Sequence, residues 1–431
     1  MTPTNRDQIP SLTGLRCFAA YSVVLAHAIP FLVKYEHPPL ALRLLSQAAG
    51  VGMTLFFVLS GFVIFLNYSG SIGTRAGLWN FFVARFARLY PLFFLAVAYD
   101  LAMKYAYVQL PTLAALPFYA TVTQSWFYTI IGGHTLIFQY GWLPQVSWSI
   151  STEWMFYFAF PLICGAIALA GSMRTRLFGA IGFSLFAIAM VTLIDLNGDV
   201  VGDFGVRSFG PIAADPQESL QHWLMYFSPY MRVFEFALGC LVASIRMRLA
   251  PPSSREKRAG VFVTAGALAA ILGLHLAFFE WRPEHPYLQI LLQIRTNFGF
   301  APAVALLIFC CSRYRNGITG FFANPWIVLG GEISYSVYLL HFLIIDAFRY
   351  EAATITTPAS AIAGYLQLAI ALAAITGLSL VSWRLIEVPC RRALRRALSV
   401  ASDSAGLEIK PPLAVPLQTP RAPELPGTPA H

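Results

Sequence analysis

The chain has 431 residues, of which 57% are hydrophobic and 11% charged, whereas soluble domains carry about a quarter charged residues. That balance excludes a water-soluble globule and makes the chain a polytopic membrane protein. The net charge of +9 does not point to nucleic acid, because the basic residues are dispersed among apolar runs with no binding motif beside them.

Apolar runs predict an all-α integral membrane protein of about ten spans around a central polar cavity. The segments are 12–33, 48–67, 89–109, 150–171, 177–195, 221–244, 259–279, 297–312, 326–348 and 362–386. Placing both termini in the cytoplasm puts Arg75, Arg85, Arg88, Arg174, Arg176, Arg246, Arg248, Arg255, Lys257, Arg258, Arg313 and Arg315 inside, with Arg391, Arg392, Arg395 and Arg396. Residues 1–396 form one membrane domain. Residues 397–431, rich in proline and without an apolar period, read as a disordered cytoplasmic tail. The six cysteines lack metal-ligand spacing and are expected to pack in the core.

The first span holds Arg16 and His27, eleven residues apart. At about 100° per residue both point the same way, separated by roughly 16 Å along the axis. Ionisable groups in a spanning helix turn toward protein or a water-filled cavity, so the pair either locks helices together or serves a function. Ala26-His27-Ala28 also resembles a signal-peptide cleavage site, but Arg16 interrupts the preceding run and the apolar stretch continues to Val33.

In the second span Ser60-Gly61 suits close helix packing. Arg85 and Arg88, at i, i+3 just before the third span, are either cytoplasmic anchors or a fork for an anionic ligand such as a nucleotide phosphate. A long aromatic connection, 110–148, with re-entrant character, leads to Trp148-Ser149-Ile-Ser151-Thr-Glu153-Trp-Met-Phe-Tyr157. With Ser151 as the cap of the fourth span, Glu153 sits in its first turn. There it reaches the external depth of His27 and makes it a workable general base. Arg232 and Glu235 are spaced to neutralise each other. Ser334, Tyr338 and His341 share one face of the ninth span, as packing glue or cavity lining. Arg384 to Arg392 closes the tenth span as a topology signal. The chain has no nucleophile elbow, HExxH, Walker loop or dinucleotide fingerprint, and no metal site is expected.

Taken together, these motifs resemble acyltransferase family 3, the integral membrane acyltransferases that include many bacterial polysaccharide O-acetylating enzymes. The match rests on Arg16-x10-His27, Phe56-Phe-Val-Leu-Ser-Gly-Phe62, Arg85-x-x-Arg88-x-Tyr-Pro91, Trp148-Ser-Ile-Ser-Thr-Glu153, Arg232-x-x-Glu-Phe-x-x-Gly239, Ser334-Tyr-Ser-Val-Tyr-Leu-Leu-His341 and Arg384-Leu-Ile-Glu-Val-Pro389. The resemblance implies a cytosolic acyl-CoA donor, used as substrate with no resident cofactor. It also implies transfer of an acyl group, acetyl foremost, to a hydroxyl of an extracytoplasmic glycan or lipid-linked oligosaccharide across the inner (plasma) membrane. Arg16, His27 and Glu153 map onto the family's arginine, histidine and acid. In the expected mechanism Arg16, Arg85 and Arg88 hold the coenzyme A phosphates, and His27, oriented by Glu153, is the general base. Thr54 stands where members often carry an aspartate. Many members also append an extracytoplasmic hydrolase-like domain, which this chain replaces with a short tail, favouring direct transfer or a separate partner protein. The rival readings are a transporter with an Arg/His/Glu pathway, disfavoured by the lack of paired Gly/Pro-broken segments, and a non-catalytic glycan-assembly component.

Overall fold

The computed structural model describes residues 9–33, 38–105, 111–139, 142–280, 294–354 and 361–400. The tail from 401 onward therefore lies outside the described residues, as do 34–37 and 281–293. In chain order the helices are α1 (Pro10–Leu32), α2 (Leu40–Leu45), α3 (Ala49–Tyr68), α4 (Arg75–Tyr105), α5 (Pro111–Ala120), α6 (Trp142–Leu169), α7 (Met173–Leu196) and α8 (Gly198–Phe209). Then come α9 (Pro229–Arg248), α10 (Ser254–Glu280), α11 (Ala301–Arg313), α12 (Gly317–Phe322), α13 (Pro325–Glu332), α14 (Ser334–Thr354), α15 (Ala361–Ser382) and α16 (Val388–Leu398). Strands β1 (Ile130–Ile131) and β2 (His134–Thr135) pair antiparallel in the connection after α5.

Seven helices are long and apolar enough to cross a bilayer, or eight if α13 and α14, bent by 67° at Ile333, count as one span. Two of the expected spans differ. The 221–244 segment is broken by a π turn at Trp223–Phe227 before α9, and α9 carries Arg232, Glu235, Arg246 and Arg248. The 297–312 segment becomes α11, whose 13 residues reach only about 20 Å, short of the roughly 30 Å hydrocarbon core. The 110–148 connection folds as α5, the β1–β2 hairpin, a 3-10 turn at Leu136–Phe138 and the first residues of α6.

Alpha-1 runs unbroken through Ala26–Ala28 and is packed on two sides. Leu12, Leu15, Ala19 and Val23 join the main core, while Ala20, Val24, Ala28 and Ile29 join a second cluster with Val337, Leu368, Ala371 and Ile375. The apolar side chains of α7, by contrast, project outward at Phe178, Ile181, Leu185 and Leu193, as a lipid-facing helix requires. All six cysteines are free, with Cys240, Cys310 and Cys311 buried.

Helices α3 and α9 meet backbone to backbone. A Cβ at Gly61 would stand 2.0 Å from the Phe236 carbonyl oxygen, and one at Gly239 would stand 2.0 Å from that of Val58. Only small residues permit such an approach. Gly61→Ala is expected to cost about 1–3 kcal/mol through overpacking, and to lower the melting temperature of the detergent-purified protein. An unchanged melting curve would contradict this contact.

At the chain's end, α16 lies against α4. Trp79 Nε1 donates to the Leu398 carbonyl at 2.8 Å, and Asn80 exchanges two hydrogen bonds with the Val400 backbone at 2.9 and 3.0 Å. These contacts hold the backbone at Leu398 and Val400 against α4.

Candidate active site

Five helices line a cavity that opens to the outside, with about 670 Å³ of empty space when the open mouth is included. Helical spacing of three or four residues puts the polar groups in pairs on single faces: Arg85 and Arg88 from α4, Ser149 and Glu153 from α6, Ser334 and Tyr338 from α14. Alpha-1 contributes Arg16, and α3 contributes the stripe Met53, Phe56, Phe57, Ser60 and Ile64, in which Ser60 alone is polar. Three guanidiniums thus share a low-dielectric chamber with one carboxylate, an arrangement that attracts anions.

Arg85 is held by aromatic rings. Its Nη2 donates to the Tyr68 hydroxyl at 3.0 Å, and the guanidinium lies 5.1 Å from the Tyr68 ring centre and 5.8 Å from that of Tyr157. Its buried Nε–H has no acceptor among the described residues, which is costly in an apolar interior unless a ligand supplies one. Tyr335, also on the wall, donates its hydroxyl to the Leu89 carbonyl at 2.7 Å.

The structure corrects the expected depth of Glu153. Alpha-6 starts at Trp142 rather than near 150, so Glu153 lies about 16 Å along the helix from its start instead of in the first turn. Ser151 is accordingly no cap. Its Oγ accepts from the Ser125 backbone N–H at 3.1 Å and from the Ser125 hydroxyl at 2.9 Å, tying the preceding connection to α6. At this depth Glu153 faces the arginine chamber and accepts the Ser60 hydroxyl at 2.7 Å.

His27 consequently has a different partner from the expected one. Its Nδ1 lies 2.9 Å from Nε2 of His341, with the two rings parallel to within 2° and 5.2 Å apart. His341 is fully buried, its Nδ1 is 2.6 Å from the Tyr338 carbonyl oxygen, and Phe342 packs edge-on against His27 at 5.1 Å. Tyr338 joins this pair to the chamber: its hydroxyl accepts from Ser149 at 2.7 Å and donates to the Val146 carbonyl at 3.0 Å.

The remaining candidates stand behind the wall. Tyr157 is fully buried beneath Arg85. Trp148 packs on Tyr226, Phe227 and Phe57. Arg232 and Glu235 form a completely buried ion pair at 3.3 Å. Arg232 also donates through Nε to the Tyr226 carbonyl at 2.8 Å, among the rings of Tyr226, Trp148 and Phe57 at 4.9, 5.8 and 5.9 Å. Glu235 accepts the Thr54 hydroxyl at 2.6 Å and the Phe298 N–H at 3.3 Å. Thr54 therefore supplies a donor where an aspartate would set two carboxylates side by side.

Several contributors were missed in the sequence. Ser60 was read with Gly61 as a packing pair, and the structure puts it on the cavity stripe of α3. Tyr68 carried no signal, since it meets Arg85 only across the α3–α4 turn. Glu387, read as part of a topology signal, accepts the hydroxyl of Ser336 in α14 from the π turn Trp383–Glu387. Away from the membrane helices, Glu218 accepts from His134 Nδ1 at 2.7 Å and from the Thr135 N–H at 2.6 Å, which closes the β1–β2 hairpin. Burial, aided by Glu218, pushes the nearby Tyr128 phenol up to about 12.

A sequence profile described as "Acyltransferase domain" matches residues 9–384. The chain is 26% identical over 424 residues to Acyltransferase MdmB of Streptomyces mycarofaciens, covering 94% of this chain and 97% of that protein. It is 24% identical over 413 residues to Peptidoglycan O-acetyltransferase OatA of Listeria monocytogenes, covering 91% of this chain but 57% of OatA. No solved structure matches.

Proposed function

The chain belongs to the acyltransferase-domain family, and from that premise we propose that it moves an acyl group, acetyl foremost, from cytosolic acyl-CoA to a hydroxyl of an extracytoplasmic glycan or lipid-linked oligosaccharide. It is a multi-pass membrane enzyme that transfers acyl groups. The donor, the acceptor, residence in the inner (plasma) membrane and the roles below are the proposed part.

The observation that carries this reading is the convergence of Arg16, Arg85 and Arg88 on one cavity, with the Arg85 Nε–H lacking an acceptor among the described residues. Coenzyme A is a phosphorylated thioester carrier, and guanidinium forks suit its phosphates. The acyl-CoA is a substrate, and no resident cofactor is invoked. With the phosphates held at the arginines, the pantetheine arm extends past Tyr338 toward His27. There the acceptor hydroxyl loses its proton to His27 as its oxygen attacks the thioester carbonyl. The C–O bond forms, the C–S bond breaks, and the proton passes from His27 to the departing thiolate. The name of OatA makes a glycan hydroxyl the favoured acceptor class, and transfer proceeds directly or through a separate extracytoplasmic partner protein.

Deleting the gene and weighing the cell-surface and secreted glycans tests the whole reading. The expected result is loss of a mass increment equal to one acetyl or larger acyl group, and an unchanged glycan profile would count against it. Arg85→Ala is expected to raise KM for acetyl-CoA about tenfold or more, given roughly 1.5–3 kcal/mol for a hydrogen bond to a charged group. The assay is release of CoA thiol by membrane vesicles containing the full-length protein, with an unchanged KM as the contrary result.

A further inference from the structure

We propose that His341 is the positioning residue that fixes His27 in its Nδ1–H tautomer and leaves His27 Nε2 as the proton-accepting atom. This deepens the proposed role of His27 and rests on it.

The assignment follows from hydrogen-bond polarity. The Tyr338 carbonyl oxygen can only accept, so the His341 Nδ1 that lies 2.6 Å from it carries a proton. In a neutral imidazole the other nitrogen is then an acceptor, which makes His341 Nε2 the acceptor of the 2.9 Å contact with His27. His27 Nδ1 must donate, and the lone pair falls on His27 Nε2, which makes no hydrogen bond among the described residues. A backbone carbonyl thus starts a chain of two imidazoles whose only open end is a basic nitrogen. Without the fixed acceptor, a histidine places its proton on either nitrogen, and the competing tautomer cannot accept at Nε2.

The pair is also held against rotation. The two rings are parallel to within 2° with centroids 5.2 Å apart, the separation of rings joined edge to edge through the 2.9 Å contact, and the Phe342 edge at 5.1 Å and the burial of His341 restrict rotation of the His27 ring. When His27 takes the acceptor's proton at Nε2, its Nδ1–H remains directed at His341, which stabilises the imidazolium until the proton leaves with the CoA thiol. The logic is that of an orienting group behind a general base, where misplacing the tautomer in a serine-protease triad costs about 10⁴-fold.

The test compares variants of the full-length protein in a strain deleted for its own copy, scored as alkali-labile acetyl on surface and secreted material, with protein amount in membranes measured alongside. His341→Phe keeps an aromatic ring at this position and removes the acceptor, and transfer is expected to fall about 10²-fold or more. His341→Gln offers a carbonyl oxygen where Nε2 stood and is expected to recover to within about tenfold of the parent. His341→Asn, one methylene shorter, is expected to match the phenylalanine variant, and it decides the matter against glutamine if His341→Phe does not accumulate. Wild-type transfer by His341→Phe, or equal loss in Gln and Asn, would overturn the proposal. His27→Ala run in parallel separates the two levels: retained transfer there sinks the base assignment itself, whereas its loss beside a fully active His341→Phe sinks only the positioning role.

Discussion

His27→Ala is expected to reduce acyl transfer by roughly 10²–10⁴-fold, the span a well-placed general base contributes, while leaving the protein folded in the membrane. The folding half of this expectation comes from the packing. The structure leaves His27 partly accessible, and its contacts include one hydrogen bond to His341 and the edge-on ring of Phe342. Alpha-1 is secured by the apolar side chains it places in two clusters, none of which the substitution removes. The check is acetyl ester formed per unit of membrane-inserted protein. Substantial transfer by a normally accumulating His27→Ala would remove His27 from the chemistry.

Glu235→Ala is expected to be the most destabilising of the substitutions considered, by about 3–5 kcal/mol, the cost of removing one partner from a buried ion pair. Arg232 and Glu235 are both completely buried, and Glu235 also serves two other donors, Thr54 and the Phe298 N–H. Phe298 has φ +65°, a left-handed backbone that L side chains rarely adopt, so its hydrogen bond to Glu235 helps to hold a strained turn. Without the carboxylate, Arg232 keeps, among the described residues, the Tyr226 carbonyl and three aromatic faces, and its Nη2 already lacks an acceptor there. A double replacement, Arg232→Met with Glu235→Leu, should melt above the single variant because it buries no lone charge. Thermal unfolding in detergent followed by tryptophan fluorescence distinguishes them. A single variant as stable as the parent would mean that the pair is not a structural element.

The sequence made the helices legible wherever an apolar run was uninterrupted, as in α1 and α3. It misjudged depth wherever polar residues entered a helix. Arg85 and Arg88 seemed to precede a span because charge depresses hydropathy, yet α4 begins ten residues before Arg85, at Arg75. Trp142-Leu-Pro-Gln-Val-Ser147 looked like connection, but a proline at the third helical position costs no intrahelical hydrogen bond, so α6 starts there and carries Glu153 inward. The polar residues of the cavity wall other than Ser60 and Tyr335 were marked by type and spacing. The partnerships were not. His27 and His341 are 314 positions apart, and periodicity along one helix says nothing about which distant helix it will face. For that reason the spacing put Glu153 beside His27, whereas in the structure it bonds Ser60 and His27 meets His341.

The interlocked glycines of α3 and α9 also constrain motion. Two helices whose backbones touch at Gly61 and Gly239 cannot shear past one another by a fraction of a turn without colliding, because packed interfaces shift between discrete arrangements rather than deform continuously. The wall that carries Ser60 is therefore a fixed stator during turnover. Any motion that admits a substrate is left to the other walls, and α14, which carries Tyr338 and His341, meets α13 at a 67° bend at Ile333.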